Sequence, residues 1–168
     1  MANVGQVNGS AWVTDSKGKK QNASSGMKVY ESDTIETGAH GKLKLSFKDG
    51  NVVNVVEGSK LKVTEYKASG HISKRKALLD LIKGKVRSSV KKKYKGNKTS
   101  SFRVRTKAAV AGVRGTDFVV SWLVGKNPMM KVQTIEGAVQ LESHDSVQKL
   151  KIPAGKYASY IVASNGVF

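Results

Sequence analysis

The sequence predicts an all-β fold, either β-solenoid-like or a two-layer β-sheet, with β-hairpins and glycine corners. Three observations lead there: apolar residues alternate with polar ones, glycines recur at similar offsets, and helical periodicity is thin. The 168 residues read as one domain, 1–168, without a dividing linker.

Taken in order, the first strong strand lies in KLKLSFKDGNVVNVV. Leu43, Leu45 and Phe47 face one side, and Lys42, Lys44, Ser46 and Lys48 the other. Asp49-Gly50 supplies the positive-φ turn of a tight hairpin, and Val52 to Val56 forms the return strand. KRKALLDLIKG (74–84) fits one or two amphipathic helical turns, or a strand entering a corner at Gly84; Leu79 and Leu81 favour the strand. KKKYKGNKTSS (91–101) has Tyr94 as its one apolar residue and reads as a flexible, solvated basic loop. In SFRVRT, Phe102 and Val104 point inward while Arg103 and Arg105 point outward; in QKLKIPAG, Leu150 and Ile152 point inward.

A weak internal repeat underlies these strands. Gly9 in VNGSAWV is followed 17 residues later by Gly26, and Gly137 in IEGAVQL is followed 18 residues later by Gly155. IKGKVRSSV, around Gly84, resembles a partial third copy. Each unit reads as strand, glycine corner, strand, loop, second corner.

Composition excludes several function classes. Without cysteine there are no disulfides, thiolate metal sites or thiol nucleophiles. His40, His71 and His144 stand more than 30 residues apart with no acid at ligand spacing, so neither a metal nor a cofactor is expected. No G-x-S-x-G elbow occurs; Asp33, Glu36 and Asp49 stay open as glycosidase carboxylates, but nothing in the sequence promotes them. The chain therefore reads as non-enzymatic. No apolar run is long enough to span a membrane, and the first residues lack the basic-then-apolar pattern of a signal peptide. Either the protein is cytoplasmic or an export signal has been removed.

The segment AVAGVRGTDFVVSW (109–122) joins a Gly-flanked arginine to a β-branched run. A phosphate cradle needs a glycine-rich loop feeding a helix, whereas a strand follows here. Gly112, Arg114, Gly115, Thr116, Asp117 and Phe118 accordingly read as a structural corner, with Arg114 tied to Asp117 or to backbone carbonyls. Together with DTIETG (33–38), FKDG (47–50), LIKGKV, FRVRTKAAV and IEGAVQL, this stretch resembles the FecR family of bacterial cell-envelope proteins across nearly the whole chain. The resemblance implies an all-β domain in the periplasm or otherwise outside the cytoplasm. The family's namesakes relay a signal to a sigma factor through an N-terminal cytoplasmic segment and one membrane helix. Neither is expected here, and the chain resembles the domain-only relatives.

The net charge of +18 is unevenly placed. Between Lys74 and Lys107 there are 14 Lys and Arg against one acid, Asp80. Charges on neighbouring strands lie within a Debye length of ~8 Å and reinforce one another. Lys74, Arg75, Lys76, Lys91, Lys92, Lys93, Lys95, Lys98, Arg103 and Arg105 are the candidate binding face. The plain alternative is a solvated surface that deters edge aggregation. In an envelope setting the expected partner is an anionic polymer, lipopolysaccharide or wall material, or an acidic protein. Nucleic acid is the alternative, weakened by the lack of stacking aromatics beyond Tyr94; an enzyme acting on wall glycans is the third reading.

Overall fold

The computed structural model describes residues 1–68, 75–91, 101–144 and 147–162. The N-terminal strands are β1 (Ala2–Asn8), β2 (Ala11–Thr14), β3 (Lys20–Asn22), β4 (Lys28–Val29), β5 (Thr34–Thr37), β6 (Lys42–Phe47), β7 (Val52–Val55) and β8 (Lys60–Ala68). The long β9 (Arg75–Ser89) follows, then β10 (Ser101–Arg105), β11 (Ala109–Val113) and β12 (Asp117–Leu123). The C-terminal strands are β13 (Met129–Glu136), β14 (Ala138–Ser143), β15 (Lys149–Pro153) and β16 (Tyr157–Ile161). No helix occurs among the described residues.

These strands build two layers. One runs β4-β1-β6-β7-β9-β12-β13-β16, the other β3-β2-β5-β8-β9-β10-β11-β14-β15. Strand β9 belongs to both. Its first part pairs with β8 and β10, and from Gly84 onward it pairs with β7 and β12. The β9–β10 pair is parallel, and the other pairs are antiparallel.

The chain passes between layers at its glycines. Gly9, Gly26, Gly58, Gly84, Gly115, Gly137 and Gly155 stand at such crossings, all with positive φ. In the N-terminal half these glycine crossings gather along one long edge, while β4 passes to β5 at the other edge through Ser32, φ +74. In the C-terminal half they gather along the opposite edge: Ser89, at the far end of β9, faces Asp117 just beyond Gly115, while Gly84 faces Trp122. Buried hydroxyls satisfy the carbonyls that the bends release. Thr37 Oγ1 donates to Val56 O at 2.6 Å, Ser59 Oγ to Lys85 O at 3.1 Å, Thr116 Oγ1 to Ala138 O at 3.0 Å and Thr134 Oγ1 to Ile152 O at 2.9 Å.

Of the two architectures the sequence allows, the molecule adopts the two-layer sheet. The repeat is real: β1–β4 and β13–β16 are equivalent bent hairpins, with inner pairs β2–β3 and β14–β15 in one layer and outer pairs β1–β4 and β13–β16 in the other. Residues 75–84 are strand rather than helix, and the Asp49-Gly50 turn has Gly50 at φ +83. One inward assignment fails. Ile152 is buried, but Leu150 is 52% exposed, because β15 is an edge strand that pairs only with β14 and Leu150 is left uncovered there.

The core lies between the layers. Phe47 of one layer packs on Tyr66 and Phe102 of the other at ring separations of 5.0 and 6.5 Å, and Phe102 meets Phe118 edge-on at 6.4 Å. Burial pushes the Tyr66 hydroxyl up to about 12, reinforced by the Asp49 carboxylate nearby. That hydroxyl accepts the Asp49 amide N–H, at 3.3 Å, and pins the hairpin turn to the core.

Candidate anion-binding surface

Alternation on β10 places Phe102 and Val104 in the core and turns Arg103 and Arg105 onto the outer face of their layer. Strand register then decides which charges meet. Arg105 lies beside Asp80 of β9, and Asp80 beside Lys62 of β8. The Arg105 guanidinium grips the carboxylate from Nε at 2.6 Å and Nη2 at 2.8 Å, and Thr64 Oγ1 donates to it at 2.5 Å. Burial pushes the Asp80 carboxyl up, but these hydrogen bonds outweigh it and hold it below its ordinary value. Farther along the same row, Lys149 Nζ pairs with Glu142 at 3.2 Å. In this row Arg105 and Lys149 are each paired with an acid.

The adjacent row differs. Arg103 of β10 lies opposite Gly112 of β11, Gly112 opposite Gln140 of β14, and Gln140 opposite Lys151 of β15. Among the described residues no acid pairs with Arg103 or Lys151. These four residues, with Arg114 and Glu136, line a cleft of about 940 Å³ on the outer face.

A second cleft of about 580 Å³ lies beside it, lined by Gly50, Lys91, Thr116, Asp117 and Glu136. The corner at Gly115 and Thr116 separates the two. The described chain ends at Lys91 in one cleft and resumes at Ser101 in the other. Lys91 is exposed, and its amide donates to Asn51 Oδ1 at 2.9 Å.

The sequence-selected cations thus divide. Arg103 and Lys91 line the clefts, and Lys76 is exposed on β9 opposite Lys67. Arg105 is committed to Asp80. Arg75 is half-buried, and its charge acts on Tyr66. Lys74, Lys92, Lys93, Lys95 and Lys98 lie outside the described residues.

Gly115 has φ +84, the Thr116 carbonyl accepts the Val90 amide at 2.9 Å, and Phe118 is fully buried. Asp117 is held by a residue other than Arg114, contrary to one sequence expectation. Arg87 reaches it from Nε at 3.0 Å and Nη2 at 2.9 Å, with Ser89 Oγ at 2.9 Å. The Arg87 guanidinium, with Ser89 assisting against burial, holds the Asp117 carboxyl below its ordinary value. Arg87 is 30 residues upstream, so only the β9–β12 register brings the pair together. Lys151 and Gln140 were likewise missed; alternation marks Lys151 as outward, but nothing local joins it to Arg103.

Two kinds of similarity to known proteins bear on this surface. The FecR protein family matches residues 33–140. The fold resembles two crystal structures of a "putative anti-sigma factor" from Parabacteroides distasonis ATCC 8503, with TM-scores of 0.60 and 0.59 at 18% identity. Each likeness covers 77% of this chain and 57% of the other, so the chain spans little more than half the length of these neighbours. No protein of curated function matches it in sequence.

Proposed function

The chain belongs to the FecR protein family, and from that premise we propose a non-catalytic binding and scaffold module of the bacterial cell envelope, acting outside the cytoplasm. Its two-layer β frame displays a basic face that holds an anionic envelope polymer or an acidic protein. FecR membership and the anti-sigma likeness support a signalling-related, non-catalytic role.

The observation that carries the reading is the contrast between neighbouring rows. Asp80 and Glu142 neutralise Arg105 and Lys149, whereas Arg103 and Lys151 meet no acid among the described residues. Uncompensated cations in a shallow concave surface focus field lines and raise the local concentration of anions. Lys91, exposed in the neighbouring cleft, adds to that field.

The test is binding to lipopolysaccharide and to duplex DNA at about 50 and 200 mM salt, the range over which purely phosphate-neutralising contacts lose most of their affinity. The variant changes Lys91, Lys92, Lys93 and Lys95 to glutamine. We expect lipopolysaccharide binding to persist at the higher salt and to weaken roughly tenfold or more in the variant. Equal, salt-erased binding to both polyanions overturns the reading.

A further inference from the structure

Gly112 carries the inference. It lies inside β11, which pairs on both sides without a register shift. Its φ is not among the positive values, and a Cβ there would meet Arg103 Cγ at 3.7 Å and Gln140 O at 3.8 Å, both ordinary contacts. Among the described residues nothing requires glycine at this position, and glycine within a strand is less stable than alanine. Interior strand glycines without a bulge or bend mark places where another group approaches the backbone.

What could approach is set by the neighbours. Strands lie ~4.8 Å apart, so the three steps from Arg103 to Lys151 span roughly 14 Å between backbones. The bare backbone of Gly112 and the amide of Gln140 lie between these two cations. A glutamine amide both donates and accepts, as sugar hydroxyls demand. The volume of about 940 Å³ suits a small ligand.

We propose that this trough is a recognition subsite for an acidic disaccharide unit, with an anionic group at each end and hydroxyls between. The proposal rests on the envelope-binding reading and names the chemical unit recognised. Arg103 and Lys151 take the terminal anionic groups, Gln140 takes the hydroxyls, and a sugar ring lies over Gly112.

The probe is a glucosamine disaccharide phosphorylated at both ends, titrated by calorimetry against the intact chain. The unphosphorylated disaccharide and inorganic phosphate serve as comparisons. Arg103→Gln with Lys151→Gln should weaken the phosphorylated sugar roughly tenfold or more, the scale of losing hydrogen bonds to charged groups. Gly112→Val should also weaken it, while Gly112→Ala should leave the melting temperature unchanged or raised. The glutamine changes at Lys91, Lys92, Lys93 and Lys95 should weaken this disaccharide less than Arg103→Gln with Lys151→Gln does, because Lys91 lines the neighbouring cleft and not the trough. Inorganic phosphate binding as tightly as the sugar, or trough variants binding like the wild type, overturns the subsite. The envelope reading then still stands if lipopolysaccharide binding depends on the lysine run. If the phosphorylated sugar binds as described but lipopolysaccharide does not, the envelope reading fails separately.

Discussion

At Gly84 the backbone turns with φ +91, and a Cβ would lie 2.6 Å from Ser59 Cα. Gly155 makes the corresponding turn near the C-terminus at φ +75, with nothing within 4 Å of its Cβ position. The two glycines separate the cost of left-handed backbone from the cost of collision. Gly155→Ala should lose about 1–2 kcal/mol from backbone conformation alone. Gly84→Ala should lose that and more, reaching the rare loss of about 4 kcal/mol or above, because backbone atoms must move. Urea midpoints of both variants check the order. Such glycines are legible in a sequence, because a recurring residue with one conformational privilege marks a recurring bend. Gly112 was legible as a residue and misread in role: grouped with a corner, it stands inside a strand.

At the scale of elements, β9 and β10 show where sequence reasoning stops. Alternation identified the inward residues of β10, and Leu79 and Leu81 favoured strand for the start of β9 over a helical reading. Which strands flank β9 was not legible, because its partners β7, β8, β10 and β12 come from both sides of the chain. The Asp80–Arg105 pair depends wholly on that parallel register. Because the folded Asp80 carboxyl lies below its ordinary 3.8, the pair stabilises the fold above that value, and the contribution is lost as pH falls through the lower folded value. Solvent at the part-exposed guanidinium limits the effect to about 1 kcal/mol. Asp80→Asn should therefore lower stability at pH 7, flatten its dependence below pH ~4, and tighten anion binding by freeing Arg105. Melting curves across pH and a parallel lipopolysaccharide titration check both halves.

Across the whole molecule, Phe102 helps join the layers, touching Phe47 and Phe118 from the opposite sheet. Phe102→Ala should cost about 3–5 kcal/mol, the range for a buried aromatic lost from a core. Since β9 is continuous through both layers, that loss should appear as one earlier transition, seen alike by near- and far-ultraviolet circular dichroism, and not as release of one layer. Leu150 marks the limit of pattern reading at this scale: alternation gives the direction of a side chain, not whether anything covers it.

The sharing of β9 also has a consequence in time. During synthesis, β1 to β8 emerge first, and β9 completes both layers of the half-molecule with one flank bare from end to end. Its remaining neighbours, β10 and β12, are still untranslated. For that interval the nascent chain carries an unpaired hydrogen-bonding edge, the feature through which sheets join to wrong partners. The residues that emerge next are Lys91, Lys92 and Lys93. Positive charge next in sequence to a bare strand is how natural sequences repel a second copy, so this lysine run guards the unfinished edge during synthesis.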